Sequence, residues 1–300
     1  MNLLALVAES KQRLEEAGVS FGHGTTNAAD EAAWLVLHAL NLPLDTPLGP
    51  DDEASKRPVA PEEYAQAATL LGARISTRKP AAYLTREAWL QGVPFYVDER
   101  VIVPRSLIAE LLVDGGIDYW LLESTHKVLD LCTGNGSLGI LAAMVYPDVV
   151  VTAADISADA LAVARINVDK HAMQERITLV QSDGLDAVHD TFDLILCNPP
   201  YVNAQSMAAL PAEYKAEPFI ALDGNQAGGS GDGMDFVRTL LSSVCAKLSE
   251  DGVLVLEIGN EREFFEAAFP DLEVVWLETS AGEDQVLLVT YDALQRMQTH

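Results

Sequence analysis

The sequence Phe192-Asp193-Leu194-Ile195-Leu196-Cys197-Asn198-Pro199-Pro200-Tyr201 runs from an apolar segment straight into a corner. Phe192 to Cys197 reads as a buried strand. Neither proline can donate a ladder hydrogen bond, so pairing has to stop there. The residue before a proline is pushed to extended geometry, which fixes the backbone of Asn198. The outcome is a stiff corner at the carboxyl end of a strand, the end at which open α/β sheets bind ligands. It presents the Asn198 amide, the Pro199 carbonyl and the Tyr201 ring. Two oxygens held a few ångströms apart can accept both hydrogens of one NH2 group. A plain strand-ending turn with Asn198 as an Asx cap is the simpler alternative for Asn-Pro alone. The full tetrad behind a buried strand favours a functional corner.

Outward from this corner, residues 127 to 290 alternate strands and helices in the βαβ manner. Strands are expected at Val128 to Leu131, Val149 to Ala154, Ile177 to Val180, Val253 to Ile258, Val274 to Leu277 and Val286 to Thr290. A helix carries Leu161, Ala164 and Val168 on one face, and Phe236, Leu240, Val244 and Leu248 stripe a later one. Cys132-Thr133-Gly134-Asn135-Gly136-Ser137-Leu138-Gly139 is a glycine-rich turn leading into a helix, with Asp155 following 21 positions after Gly134. That spacing satisfies the dinucleotide fingerprint and, alone, would spell a nicotinamide or flavin oxidoreductase. Two features point away from it. Asp130 stands inside the first strand, where a dinucleotide fold has an apolar residue, and would suit a positively charged ligand. The Asn-Pro-Pro-Tyr corner has no role in hydride transfer.

Residues 1 to 80 read as a small helical bundle for docking a substrate or partner. Leu3, Leu6, Val7 and Leu14 form one stripe. Leu35, Ala39 and Leu42 form another, running from Asp30 and stopped by Pro43. Leu44 to Pro61 is a loop, and Pro61 opens a helix with Ala68, Leu71 and Ile75 on one face. Between 81 and 104, Ala88 to Leu90 and Phe95 to Val97 flank Gly92 as a hairpin bridging to the third unit, residues 105 to 300. There Ser106 precedes an apolar helix, Leu107 to Val113, as its cap. The fold class is therefore α/β: a Rossmann-like sheet with helices on both faces, preceded by a helical bundle.

Composition narrows the function. The net charge of −26 argues against direct nucleic-acid binding, which needs clustered Lys and Arg, and is compatible with a basic protein partner. It equally suits plain solubility. The three cysteines are scattered and the six histidines isolated, so no metal site and no disulfide framework is expected, which fits a reducing cytoplasm. Glu9 and Lys11 stand where a signal peptide would need an apolar core, and no uncharged run is long enough to span a bilayer. A homodimer stays open, since no stripe marks one.

Asp130-Leu131-Cys132-Thr133-Gly134-Asn135-Gly136, then Asp155, Asp183 and Asn198-Pro199-Pro200-Tyr201, resemble the class I S-adenosylmethionine-dependent methyltransferases that modify amide or amine nitrogen. Three further stretches resemble the protein-glutamine methyltransferases. They are Phe95-Tyr96-Val97-Asp98-Glu99-Arg100 with Val103-Pro104-Arg105-Ser106, Leu210-Pro211-Ala212-Glu213-Tyr214 with Glu217-Pro218, and Asp232-Gly233-Met234-Asp235. The likeness is strongest to the branch acting on large-subunit ribosomal protein three; a sister branch acts on release factors. It covers residues 80 to 290 well and the N-terminus only in character. Asn135 and Cys197 depart from the usual Ser or Thr at their positions, and the loop Asn225 to Gly233 is long and glycine-rich, as a mobile segment would be.

The resemblance implies S-adenosylmethionine as cofactor and a basic ribosomal protein as substrate. It implies that Asp130, Cys132, Thr133, Gly134, Asn135 and Gly136 wrap the methionine part and Asp155 holds the ribose. Asp183 would accept from the adenine amine. Asn198 and the carbonyl of Pro199 would grip a glutamine amide, with Asn198 also bordering the cofactor, and Tyr201 would wall the pocket. No general base is expected, because the methylated nitrogen is a strong acid and loses its proton to water. An adenine-amine methyltransferase of DNA or RNA remains the main alternative, since the same corner could hold a flipped base.

Overall fold

The computed structural model describes residues 1–226 and 229–298. Nine strands occur among them: β1 (Ala88–Leu90), β2 (Val93–Phe95), β3 (Lys127–Leu131), β4 (Val150–Asp155), β5 (Ile177–Gln181), β6 (Phe192–Cys197), β7 (Leu248–Glu257), β8 (Val275–Thr279) and β9 (Gly282–Thr290). The strands β3 to β9 form one sheet in the order β5-β4-β3-β6-β7-β9-β8. From β5 across to β7 all neighbours are parallel, and β9 runs antiparallel to both β7 and β8. The chain moves outward from β3 to β5, then returns to lay β6 on the other side of β3. The gap between β3 and β6 is thus a topological switch point, where such sheets open a crevice at their carboxyl ends.

Strand alternation builds the two core layers. Leu194 and Leu196 face one side, with Ile108, Leu112, Leu138 and Leu141. Ile195 and Cys197 face the other, with Val237, Leu240, Leu241 and Phe265. Successive side chains of a strand point to opposite faces, so β6 needs apolar residues on both faces from Leu194 to Cys197. The sheet is α/β with helices on both faces, as expected.

Several boundaries differ from expectation for local reasons. The second helix is Ala28–Ala39, because Asn27 rather than Asp30 caps it, its Oδ1 accepting from the amides of Ala29 and Asp30. It ends before Leu42, which lies outside it. A short helix, Glu53–Lys56, interrupts the expected loop. Pro61–Thr77 is helical as expected, but its buried face is Ala67, Leu71 and Arg74 rather than Ala68 and Ile75. The hairpin closes at Phe95, leaving Val97 outside the strands. Gln91 and Gly92 both have positive φ, the two-residue turn that matches strand twist. Leu248 opens β7 instead of ending the helix Asp235–Ser243. In the loop 225–233, residues 227 and 228 lie outside the described residues. Its second half is tied down, with Arg238 paired to Asp232 and Asp235.

The helical N-terminus is joined to the rest by more than a linker. One buried cluster runs from Leu14, Leu35 and Leu71 through Ala81, Tyr83, Val97 and Val103 to Val163 in the helix Ala158–Lys170. Polar contacts reinforce it. Arg74, wholly buried, pairs with Glu31 at 2.7 Å and reaches Glu213 at 3.5 Å, and Arg78 reaches Glu213 at 3.4 Å. Nearby, Glu217 takes both guanidinium nitrogens of Arg105, at 2.7 and 2.8 Å, and the amide of Val103. His23 lies 3.5 Å from the same carboxylate and against the ring of Tyr214.

Burial alone would raise the Glu217 carboxyl. The neighbouring His23 ring and the Arg105 guanidinium outweigh it and hold the group at about 2, against 4.5 unperturbed. A carboxylate with a depressed folded value adds stability above its unfolded value and loses it as pH falls through the folded one. Glu217→Gln is therefore expected to lower stability at pH 7 by about 3 kcal/mol, because Arg105 loses its partner. The deficit against wild type should shrink between pH 4.5 and pH 2 in thermal unfolding. An unchanged melting temperature at pH 7 would contradict this account of the junction.

Candidate functional site

At the switch point the chain leaves β3 through Cys132, whose φ of +60° turns it out of the sheet. Gly134 (φ +54°) and Gly136 (φ +83°) complete the turn into the helix Ser137–Val145. A Cβ built on Gly134 would meet no protein atom and would project into open space, whereas one on Gly136 would press on Ala164. Gly134 borders a cleft that also touches Cys132, Asp155, Asp183, Asn198 and Phe236. Its remaining wall is largely apolar, including Leu131, Ile156 and Pro218.

The Asp155 carboxylate is fixed at the rim. Its two oxygens accept from the amides of Gly134 and Ser157, each at 2.9 Å. Burial raises it against those bonds. Lone pairs remain for hydroxyl donors, and Asp183 stands exposed further along the same cleft. Two carboxylates flanking an apolar slot, with a glycine whose side chain would have filled it, fit a nucleoside carrying a flat base and free ribose hydroxyls.

The turn residues divide into two groups. Cys132, Gly134, Asp155, Asp183 and Asn198 border the cleft. Asp130, Thr133, Asn135 and Gly136 do not; they lie beneath the turn and shape it. Asp130 is fully buried, one oxygen accepting from the Thr133 hydroxyl at 2.5 Å and the Gly139 amide at 2.8 Å. Burial pushes its carboxyl up to about 7. Through its Oδ2 Asp130 ties strand to helix, while its Oδ1 is buried with no hydrogen-bond partner among the described residues. Gly139 is needed there, since an added Cβ would come within 3.1 Å of Oδ2. Asn135 accepts from Ser137 through its side chain, and its carbonyl accepts from Asn167. The Cys132 thiol neighbours that of Cys197 across the switch point, and that neighbour first, then burial, raises it above the ordinary thiol range.

The corner itself is held from behind. Asn203 donates to both oxygens of Glu261 at 2.8 Å and caps the helix Ala204–Ala209. Asp223 and Val202 form a bridge, and the Val202 amide donates to Leu222. Gly224 and Gly233 bring their strands of loop so close that a Cβ on either would collide with the Tyr201 backbone. With its backbone so confined, Asn198 is half-buried, and its side-chain amide is engaged by no group among the described residues. It is therefore no Asx cap.

Asn198 borders a second cleft as well, on the far side of the corner. Pro199, Tyr201, Arg105, Tyr214, Glu257 and Asn260 line it. Tyr201 thus walls this second cleft rather than the first. The corner stands between two openings, and Asn198 borders both.

Sequence reasoning missed most of the second cleft. His23, Glu213, Tyr214 and Glu217 join the N-terminal helices to its wall, although residues 1 to 80 carried no obvious constellation. Ser106, read as a helix cap, does accept from the Ile108 amide at 3.2 Å but also donates to Glu257. The Leu210 to Glu217 and Val103 to Ser106 stretches were the available signal. Their pairing across more than a hundred residues leaves no local pattern.

Residues 113–213 match the family model of the methyltransferase small domain. A ribosomal protein uL3 glutamine methyltransferase of Bordetella pertussis is 51% identical over 292 residues, 96% of this chain and 95% of that protein. Its namesake in Burkholderia pseudomallei is 52% identical over 294 residues, 95% and 92% of the two chains. Among solved structures, the hMettl16 catalytic domain in complex with a MAT2A 3'UTR hairpin matches at a TM-score of 0.51. It is 14% identical and is covered to 82%, with 77% of this chain covered, so it shares the fold alone. Identity near one half over almost the whole length decides the matter: the chain belongs to the ribosomal protein uL3 glutamine methyltransferase family.

Proposed function

We propose that this chain methylates the side-chain amide nitrogen of a glutamine in ribosomal protein uL3, with S-adenosylmethionine as methyl donor. The observation that carries the reading is the placement of Asn198, half-buried and unengaged, on the partition between two clefts. S-adenosylmethionine bound in the first cleft supplies a methyl group on a positively charged sulfur. Asp155 accepts the ribose hydroxyls, Asp183 accepts from the base amine, and Ile156 and Phe236 wall the flat ring. Asp130, Thr133, Asn135 and Gly136 serve that cleft indirectly, by shaping the turn.

The substrate glutamine enters through the second cleft. Its amide nitrogen is a weak nucleophile because the lone pair is shared with its carbonyl. The Asn198 side-chain oxygen and the Pro199 carbonyl accept its two hydrogens, raise electron density on nitrogen and aim it at the first cleft. Positioning of this kind supplies about 7–11 kcal/mol in the best intramolecular models, and fixed dipoles add to it where water is excluded. The product nitrogen then sheds a proton to water. The N-terminal helices dock the folded substrate, a basic protein attracted by the net charge of −26. No described helix is long and apolar enough to cross a membrane. A ribosomal protein substrate supports a cytoplasmic setting for the reaction.

Asn198→Ala is expected to lower turnover by about a hundredfold while the affinity for S-adenosylmethionine stays within about twofold. Single-turnover rates and calorimetry on the same preparation measure both. Unchanged turnover would remove Asn198 from the role given to it. Asp155→Asn should do the reverse, weakening cofactor binding by about tenfold or more through loss of charge-assisted hydrogen bonds. Calorimetry that finds wild-type affinity would move the ribose elsewhere.

A further inference from the structure

One buried carboxyl beside the corner has no part in the chemistry above. In the parallel ladder of β6 and β7, Cys197 pairs with Leu256. The next residues on each strand, Asn198 and Glu257, therefore leave the sheet side by side at its carboxyl end. Glu257 is only 4% exposed and lies on the wall of the second cleft. Its Oε2 is fully occupied, accepting from the Ser106 hydroxyl at 2.5 Å and the Leu107 amide at 2.9 Å. Tyr201 lines the same wall, and its hydroxyl is pushed up by burial first and by the nearby Glu257 carboxyl second. Two residues further on, the same segment meets the Tyr201 ring. Gly259, at φ +54°, lies so close to the ring that an added Cβ would come within 2.6 Å of it.

We propose that Glu257 is a positioning residue for methyl transfer: by engaging the Tyr201 hydroxyl it holds that ring against the glutamine amide presented at Asn198. This rests on the reading of the corner given above. A buried carboxyl is costly unless its neighbours satisfy it, so it persists where it orders something. Here the group to be ordered is the aromatic wall, which Gly259 already bounds at the ring edge and which shares the cleft wall with Glu257. Ser106 and Leu107 in turn lock the carboxyl, so that the start of the helix Ile108–Val113 and the end of β7 share one fixed point. A misplacement of about 1 Å at such a wall can cost up to two orders of magnitude in rate.

The test is a cycle of Glu257→Ala, Tyr201→Phe and the double variant, with Glu257→Gln as the conservative replacement. Each full-length protein is assayed for kcat and KM on unmethylated uL3 and for its thermal midpoint. The positioning role predicts that Glu257→Ala lowers kcat about tenfold or more, with KM for cofactor little changed. It predicts that Glu257→Gln recovers most of that loss, since an amide can still bridge Ser106 and Tyr201. The double variant should be no slower than Glu257→Ala alone, and the melting shifts should be likewise less than additive. Losses in kcat that multiply in the double variant would overturn the proposal. So would a Glu257→Gln protein as slow as Glu257→Ala, which would make the carboxylate itself the reacting group. If Glu257→Ala does not fold, the Gln and Phe variants still decide between these outcomes. A wild-type chain inert toward glutamine would overturn the reading of the corner and this proposal with it. An active wild type with multiplying losses would overturn this proposal alone.

Discussion

Everything at the site depends on β6 being unable to continue. Pro199 and Pro200 have no N–H to offer, so the ladder with β3 and β7 ends at Cys197. That ending falls at the switch point of the sheet, where β3 and β6 are neighbours but their following loops diverge. One loop descends into the glycine turn and forms the first cleft. The other becomes the corner and forms the partition. A strand with ordinary residues in place of the prolines would extend the ladder and bury the Asn198 amide in it.

The stiffness of the corner is not only local. Gly224 and Gly233 pass close behind the Tyr201 backbone, and Glu261 clamps Asn203. Further out, Glu213 and Glu217 link the wall of the second cleft to Arg74 in the helix Pro61–Thr77, to Arg78 at its end and to His23 in the loop between the first two helices. Buried ion pairs seldom add net stability over a well-packed apolar alternative, but breaking one is costly. Their presence here makes the N-terminal helices and the substrate-side wall a single mechanical unit. A protein docked on those helices would press on a body continuous with the cleft.

The fold was legible because its signals are local. Alternating apolar runs, a glycine turn and a doubled proline each leave a mark within ten residues, and strand β6 fell within its expected bounds. Asn27 as a cap was harder, because Asp30 satisfies the same pattern three residues later. The site was legible to the extent that it lies at strand ends: Cys132, Gly134, Asp155, Asp183 and Asn198 all reach the first cleft. The tie from Asp130 to the Gly139 amide was not legible, because a carboxylate inside a strand looks the same in sequence whether it faces a ligand or a helix amide. Glu257 was invisible for a different reason. It ends a long apolar strand, and only the register with β6 brings it beside Asn198. Contacts such as Arg105 to Glu217 join residues 112 apart, and no periodicity reports them.

The most direct test of the central claim follows a labelled methyl group. The purified chain is incubated with S-adenosylmethionine radiolabelled at the methyl and with lysate from cells lacking the gene, and label is traced into protein and nucleic acid separately. The account predicts one labelled band at the size of ribosomal protein uL3, giving methylglutamine on proteolysis to free amino acids. Label in a release factor would contradict the substrate assigned here. Label in nucleic acid would contradict the glutamine chemistry itself.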